Sequence, residues 1–268
     1  MLGSRKLGVP VVVAVGGSDP SAGAGIQADL RSLEACGVLP ATVVTAITVQ
    51  AGRGLKRMRP VEPRLVVEQL RELRRAMAPA AVKTGALPTA ACVTGLVREL
   101  AAWRVPIVVD PVTEASGGGR LASRNAFRAM SRELFPLASL LTVNLAEASA
   151  LLDRPVTGLA DMKEAAGELA RFGSDAVLVK GGHLKGQPAD VLWDGEALVV
   201  YRGARIRGPD MHGSGCALAS AVAAGLARGM TLRRAVAMAR RHLRGLLGRA
   251  LPLDARRSLR GPAASRGH

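Results

Sequence analysis

His212 to Cys216, HGSGC, places two glycines around Ser214 and then runs into a small-residue stretch: Ala217, Ala219, Ala221, Ala223, Ala224 and Gly225. Gly213 and Gly215 free the backbone amides of Ser214, Gly215 and Cys216 to converge at a helix start, where the helix dipole adds positive potential. That is an anion hole, and it suits a transferring phosphoryl group, for which catalysis is mostly positioning and electrostatics. Cys216 stands at the positive helix end, where a lowered thiol pKa is expected. A nucleophile there would pair with His183 or His212, but no nucleophile-elbow pattern surrounds it. A zinc ligand would need partners at metal spacing, and Cys36 and Cys92 lie in helical patterns without them. Proton acceptor, anion-hole donor and small residue at a crowded helix start all remain open.

Other chemistry-bearing residues each follow an apolar run. Gly16 to Gly25 is a flexible loop in which backbone can approach a ligand closely. It matches neither the dinucleotide fingerprint nor Gly-x-x-x-x-Gly-Lys-Ser/Thr, so it is a ligand loop or an ordinary turn. Asp29 lies at the border of the following helix's buried face, as a surface residue or as an acceptor for a ligand NH or OH. Asp110 ends Ile-Val-Val, and Asn144 and Glu147 flank the next helix start. Three oxygen-bearing side chains suit a Mg²⁺ held largely through water, while Asn144 with Glu147 fits a helix capping box equally well. Lys180 follows Val-Leu-Val, either to meet a nucleotide phosphate or simply to end a strand, and Gly181-Gly182-His183 comes after it.

The elements that must position these residues alternate in type. Val11–Val15, Thr42–Val49, Ala81–Lys83, Ile107–Asp110, Leu140–Val143 and Ala176–Lys180 are short apolar runs expected as strands. Between them Ile26–Cys36, Pro63–Met77 and Ala90–Trp103 carry apolar residues at helical spacing. Strands apolar on both faces and separated by helices imply an α/β fold, a mostly parallel sheet covered on both sides. Ala189–Tyr201 forms two alternating runs joined through Asp194-Gly195, an antiparallel edge hairpin. Helices are expected near Ser214–Arg228 and Leu232–Leu247. In such a sheet ligands bind beyond the carboxyl ends of the strands, where the polar residues above fall. No repeat or linker divides the chain, so residues 1–250 read as a single domain and the basic tail 251–268 as disordered.

Composition narrows the function classes. The 268 residues carry a formal charge of +16, and those from Arg228 onward hold eleven arginines against one acid, Asp254. The remaining basic charge suits an acidic substrate such as a phosphorylated small molecule or nucleotide. Aromatics make up only 2% of the chain, which removes the stacking platform of a single-strand nucleic-acid binder, so no nucleic-acid partner is expected. Three separated cysteines fit a reducing, cytoplasmic setting. Val9–Val15 reads as a buried first strand rather than a signal peptide, and no run approaches the length of a membrane span.

Five segments in order carry a resemblance: GGSDPSAGAGIQADL, VVDPV at 108–112, TVNLAEA at 142–148, VKGGH at 179–183 and HGSGC. Over about Val11 to Leu247 the chain resembles the hydroxymethylpyrimidine/phosphomethylpyrimidine kinases of thiamine biosynthesis, in the ribokinase-like superfamily. The resemblance implies a three-layer αβα ribokinase-like fold and ATP-dependent phosphorylation of 4-amino-5-hydroxymethyl-2-methylpyrimidine, of its monophosphate, or of both. It implies that Asp29 and Gln50 hydrogen-bond the pyrimidine, with Gly17 and Val112 beside it. Lys180, Asn144 and Gly182 would meet ATP, Asp110 and Glu147 would organise Mg²⁺, and Gly213, Gly215 and Cys216 would form the catalytic anion hole. It also implies a homodimer. Met211, Ala86, Ser116 and the Ala-Gly after Gln50 depart from the family pattern. Pyridoxal or pyridoxine kinase, and a non-catalytic ligand-binding paralogue, are the alternatives.

Overall fold

Val11, Val13 and Val15 point to one side of the first strand and Val12 and Ala14 to the other, and all five are buried. A strand apolar on both faces is stable only between two covering layers. The computed structural model, which describes residues 8–51, 54–206, 210–252 and 257–259, shows both layers.

The central sheet has nine strands. In chain order they are β1 (Val11–Ser18), β2 (Leu39–Ala51), β3 (Gly54–Pro60), β4 (Ala81–Thr84), β5 (Ile107–Val109), β6 (Leu140–Asn144), β7 (Val177–Gly181), β8 (Ala189–Trp193) and β9 (Leu198–Arg202). Their spatial order is β3-β2-β1-β4-β5-β6-β7-β8-β9. From β2 to β7 every neighbouring pair is parallel, while β3, β8 and their partners pair antiparallel. This is the α/β, three-layer arrangement with an antiparallel edge hairpin that the sequence implies.

Helices α2 (Pro63–Met77), α3 (Ala90–Leu100), α4 (Arg124–Ala129), α5 (Leu145–Leu152) and α6 (Leu159–Ala170) cover one face. Their Val66, Leu70, Leu96, Met162 and Leu169 meet Val13, Val82, Val109, Leu141 and Val179. On the other face α1 (Gly25–Ala35), α7 (Ser214–Ala227) and α8 (Leu232–Leu247) bring Leu33, Leu218, Val222 and Val236 against Val12, Val108, Leu140 and Leu178. The two clusters draw on alternate residues of the same strands, as the pleat requires. With three phenylalanines in the whole chain, small residues do much of the packing. Among the described residues no helix is long and apolar enough to cross a membrane.

Two differences from expectation bear on the site. The second strand is longer than Thr42–Val49 and folds back as β3, GLKRMRP, at the sheet edge. Lys56, Arg57 and Arg59 hide its alternation, yet charge on an edge strand is what keeps such an edge from pairing with other chains. The tail expected to be disordered contains two strands, β11 (Leu251–Pro252) and β12 (Arg257–Leu259), which join β10 (Asp210–Met211) in a small separate sheet. Backbone groups make these pairings, and composition does not register them. Residues 253–256 and 260–268 lie outside the described residues.

Helices α7 and α8 pack tightly at Gly225, where a Cβ would lie 2.8 Å from that of Ala235. Gly225→Val should therefore overpack this layer and cost about 1–3 kcal/mol in urea unfolding.

Candidate active site

The carboxyl ends of the parallel strands open into a cavity of about 630 Å³. Its lining follows the sheet order, from Gln50 on β2 and Gly17 on β1, past Asp110 after β5 and Asn144 on β6, to Lys180 on β7. Beyond β9 it continues over Gly203 to Arg205 and the Arg240–Leu247 face of α8. The residues that the resemblance assigns to the site all line this one cavity: Gly17, Asp29, Gln50, Asp110, Val112, Asn144, Glu147, Lys180, Gly182, Gly213, Gly215 and Cys216.

Asp110 and Lys180 form its charged centre. Asp110 Oδ1 accepts from Lys180 Nζ at 2.6 Å and from Thr142 Oγ1 at 3.0 Å. Burial opposes ionisation of Asp110, but the ammonium groups of Lys180 and Lys83 hold its carboxyl below the usual range. Glu147, on the first turn of α5, belongs to a capping box: Asn144 Oδ1 accepts from its amide, and its Oε2 accepts from the Asn144 amide, each at 2.8 Å. The capping reading is thus correct, and it leaves Glu147 Oε1 and Asp110 Oδ2 outside these bonds. Burial, opposed by Lys180 and reinforced by Asp110, lifts the Glu147 carboxyl to about 7. Among the described residues no three His, Cys, Asp or Glu side chains gather closely enough to hold a metal alone.

The start of α7 faces this centre. No side chain caps the helix, so a capping group does not consume its first amides. A Cβ built on Gly215 would sit 3.4 Å from Lys180 Nζ and 3.7 Å from Asp110 Oδ2, so cation, carboxylate and open helix end share one small volume. Gly213 has φ +79°, and a Cβ there would overlap the carbonyl oxygen of Gly23. The turn before α7 is therefore docked backbone to backbone on the Gly16–Gly25 loop.

Cys216 differs from expectation. Its thiol is pushed up to about 11, chiefly by desolvation, with Lys83 opposing and the charges of Asp29 and Asp110 adding to the rise. A helix end is worth about 0.3–1 kcal/mol to a nearby charge. Two pKa units correspond to about 3 kcal/mol, so burial among carboxylates wins and the resting thiol is protonated. Nor does a histidine activate it. His212 Nε2 lies 3.0 Å from Asp19 Oδ2, and His183 is exposed.

Asp29 is more deeply committed than expected. Both of its oxygens accept from Lys83 Nζ, at 2.9 and 3.0 Å, and Oδ1 also accepts from Ser220 Oγ at 2.7 Å. The pair is fully buried, at 0% and 1% exposure, between α1, β4 and α7. Burial disfavours the Lys83 ammonium, but Asp29 outweighs it and keeps Lys83 protonated. Sequence reasoning missed Lys83 by treating it as a strand end. The available signal was a charge inside AVKT, a strand with no exposed face. Asp19, whose carboxyl is held down at about 2, was missed as well. Burial would raise that carboxyl, but bonds from His212, Ala24 and Ser21 overcome it. Arg205 was the third, with a guanidinium that donates to the carbonyls of Gly182, Leu184 and Gly186.

A family model described as phosphomethylpyrimidine kinase matches residues 19–259. A hydroxymethylpyrimidine/phosphomethylpyrimidine kinase of Rhizobium meliloti is 40% identical over 246 residues, 91% of this chain and 92% of that protein. A thiamine biosynthesis bifunctional protein of Geobacter sulfurreducens is 40% identical over 90% of this chain, which spans only 50% of that longer protein. Among solved structures, an ADP complex of Bacillus subtilis pyridoxal kinase superposes with TM-score 0.88 at 30% identity, covering 97% of this chain and 100% of that one.

Two outcomes follow from the buried charges. Asp29→Ala strands the Lys83 ammonium and should cost about 3–5 kcal/mol in chemical denaturation, part of which Lys83→Met in the same chain restores. With its pKa raised from 9.0 to about 11, Cys216 should react with iodoacetamide about a hundredfold more slowly at neutral pH than an unperturbed thiol. The rate should climb about tenfold per pH unit until about pH 11, as followed by mass spectrometry against Cys216→Ala.

Proposed function

This chain belongs to the phosphomethylpyrimidine kinase family, and from that membership we propose that it transfers the γ-phosphoryl group of ATP to 4-amino-5-hydroxymethyl-2-methylpyrimidine, to its monophosphate, or to both. The observation that carries the reading is the shared volume at Gly215, where Lys180, Asp110 and the uncapped start of α7 face one another. Positive groups surrounding a point, with one carboxylate among them, suit a phosphoryl group in flight rather than an acyl group or a hydride.

In this reading the pyrimidine lies at the β1–β2 side, beside Gly17, Gln50 and Val112, and the nucleotide lies toward Lys180, Asn144 and Gly182. Lys180 leaves Asp110 to meet the phosphates. The Asp110 and Glu147 carboxylates are hard oxygen donors of the kind Mg²⁺ takes, and they would hold the ion. When bound, Mg²⁺ neutralises charge on the phosphates. The amides of Ser214, Gly215 and Cys216 receive the charge that develops on the transferred group, and the protonated Cys216 thiol joins them as a donor. The acceptor hydroxyl oxygen forms the new P–O bond as the bond to ADP breaks, and the hydroxyl proton passes to an oxygen of the transferred phosphoryl group. A loose transition state needs little help from a strong base, which suits a site whose cysteine is protonated.

Pyridoxal is the second acceptor to consider, because the superposed Bacillus subtilis structure is a pyridoxal kinase. Since Lys83 and Ser220 occupy Asp29, the preference for an aminopyrimidine rests on Gln50, whose amide both donates and accepts.

ADP release with Mg·ATP against hydroxymethylpyrimidine, its monophosphate, pyridoxal and ribose tests the assignment. Turnover should occur with one or both pyrimidines; turnover confined to pyridoxal overturns the substrate, and binding without any turnover overturns the kinase. Gly215→Val should lower kcat by about 10²-fold or more by filling the anion hole, and Cys216→Ser should retain more activity than Cys216→Ala because a hydroxyl still donates.

A further inference from the structure

Asp19 and His212 stand outside the roles assigned above, yet they join the two glycine loops that frame the site. Asp19 is fully buried and its carboxylate meets four donors. Oδ1 accepts from the amide and hydroxyl of Ser21 at 2.9 and 2.8 Å, and Oδ2 accepts from the Ala24 amide at 2.8 Å and from His212 Nε2 at 3.0 Å. Its own carbonyl accepts from Ala22 at 2.9 Å and its amide donates to Gln27 Oε1 at 2.9 Å. One side chain therefore folds the Gly16–Gly25 loop and reaches across to the residue immediately before Gly213. Because an ionised carboxylate only accepts, the His212 proton sits on Nε2. Nδ1 is buried without a partner among the described residues, so nothing competes for the opposite tautomer.

The tie to His212 is the first of three in succession. Gly213 packs with no space for a Cβ against Gly23 and Ala24, and the Gly25 amide hydrogen-bonds the Cys216 sulfur. Together these contacts fix how far the amides of Ser214, Gly215 and Cys216 stand from the loop that carries Gly17 and leads into the helix bearing Asp29. Shape holds Gly213 and one weak bond holds Cys216; the buried carboxylate–imidazole bond is the strong tie, and it lies at the hinge end of the turn.

We propose that Asp19 and His212 act together as a positioning pair for phosphoryl transfer, holding the anion-binding amides at the start of α7 in register with the acceptor-binding loop. The inference rests on the kinase reading. Neither side chain touches the reacting atoms: loss of the tie leaves Lys180, Asp110 and Gln50 in place, so both substrates still bind. The anion hole then lies displaced from the developing charge. A misplacement of about 1 Å is enough to cost about 10²-fold in rate.

The test compares unmodified enzyme with Asp19→Ala, His212→Ala, the double variant, Asp19→Asn and His212→Gln, each checked by thermal melt. Each alanine variant should lose about 10²-fold in kcat while KM for Mg·ATP and for the acceptor moves less than about threefold. The double variant should match Asp19→Ala, because that substitution already removes the bond to His212. Asp19→Asn should regain most of the loss, since its amide NH₂ can donate to Nε2 once the ring carries its proton on Nδ1. If Asp19→Ala does not fold, Asp19→Asn and His212→Gln carry the comparison. Imidazole ¹⁵N shifts provide a readout independent of turnover: the native His212 ring should be the Nε2–H tautomer, and an Nδ1–H ring overturns the pair. Losses that multiply in the double variant, or that fall in KM rather than kcat, overturn it as well. Native-like kcat in both alanine variants overturns the pair alone, whereas absence of turnover in the unmodified chain overturns it together with the kinase reading.

Discussion

Buried charge has to be compensated, and that constraint organises the catalytic end of this sheet. Asp29, Lys83, Asp110 and Glu147 are all buried, and Lys180 is nearly so. Removing one ion from water costs several kcal/mol unless partners supply it with hydrogen bonds and opposite charge. Lys83 satisfies both oxygens of Asp29, tying β4 to α1, and Lys180 and Thr142 satisfy Asp110, tying the end of β5 to β6 and β7. The helices that cover the sheet are fixed by the same bonds, because Asp29 belongs to α1 and Ser220 to α7. Catalytic geometry and layer packing are here a single network.

The network also explains why the cysteine at the helix start behaves unlike a reactive thiol. Position on the helix supplies a small favourable effect, whereas burial, together with the charges of Asp29 and Asp110, supplies larger unfavourable ones. The site that results has two lysines, three acids and a protonated thiol. Asp110 pairs with Lys180, so its ammonium is not left unpaired in the cavity.

Much of the architecture was legible in the sequence, because buried parallel strands such as Val11–Val15 and Val177–Val179 are continuous apolar runs. Polar residues after those runs fell at the right place for the same reason: a parallel sheet presents its strand ends on one side. Elements whose signal is carried by distant partners were hidden. β3 looks like a basic loop until β2 is placed beside it, and the short strands near the C-terminus exist only by pairing with each other and with Asp210 and Met211. The same holds for the site. Gly213, Gly215 and Lys180 announce themselves by local pattern, whereas Lys83 and Asp19 acquire their meaning from Asp29 and from His212, 193 positions away from Asp19. Local residue type also misjudged Cys216, since a thiol pKa depends on what the fold packs around it.

The two glycines of the turn before α7 have unequal futures under mutation. Every single-base change at a glycine codon that yields another amino acid adds a Cβ. At Gly213 any such atom meets the Gly23 carbonyl on a backbone already in the left-handed region, so drift at that position is closed. At Gly215 a methyl group would find Lys180 and Asp110 at ordinary contact distance, and nothing in the backbone forbids it. Divergence toward other acceptors or slower turnover can therefore pass through Gly215 one atom at a time, while Gly213 holds the lineage to this turn.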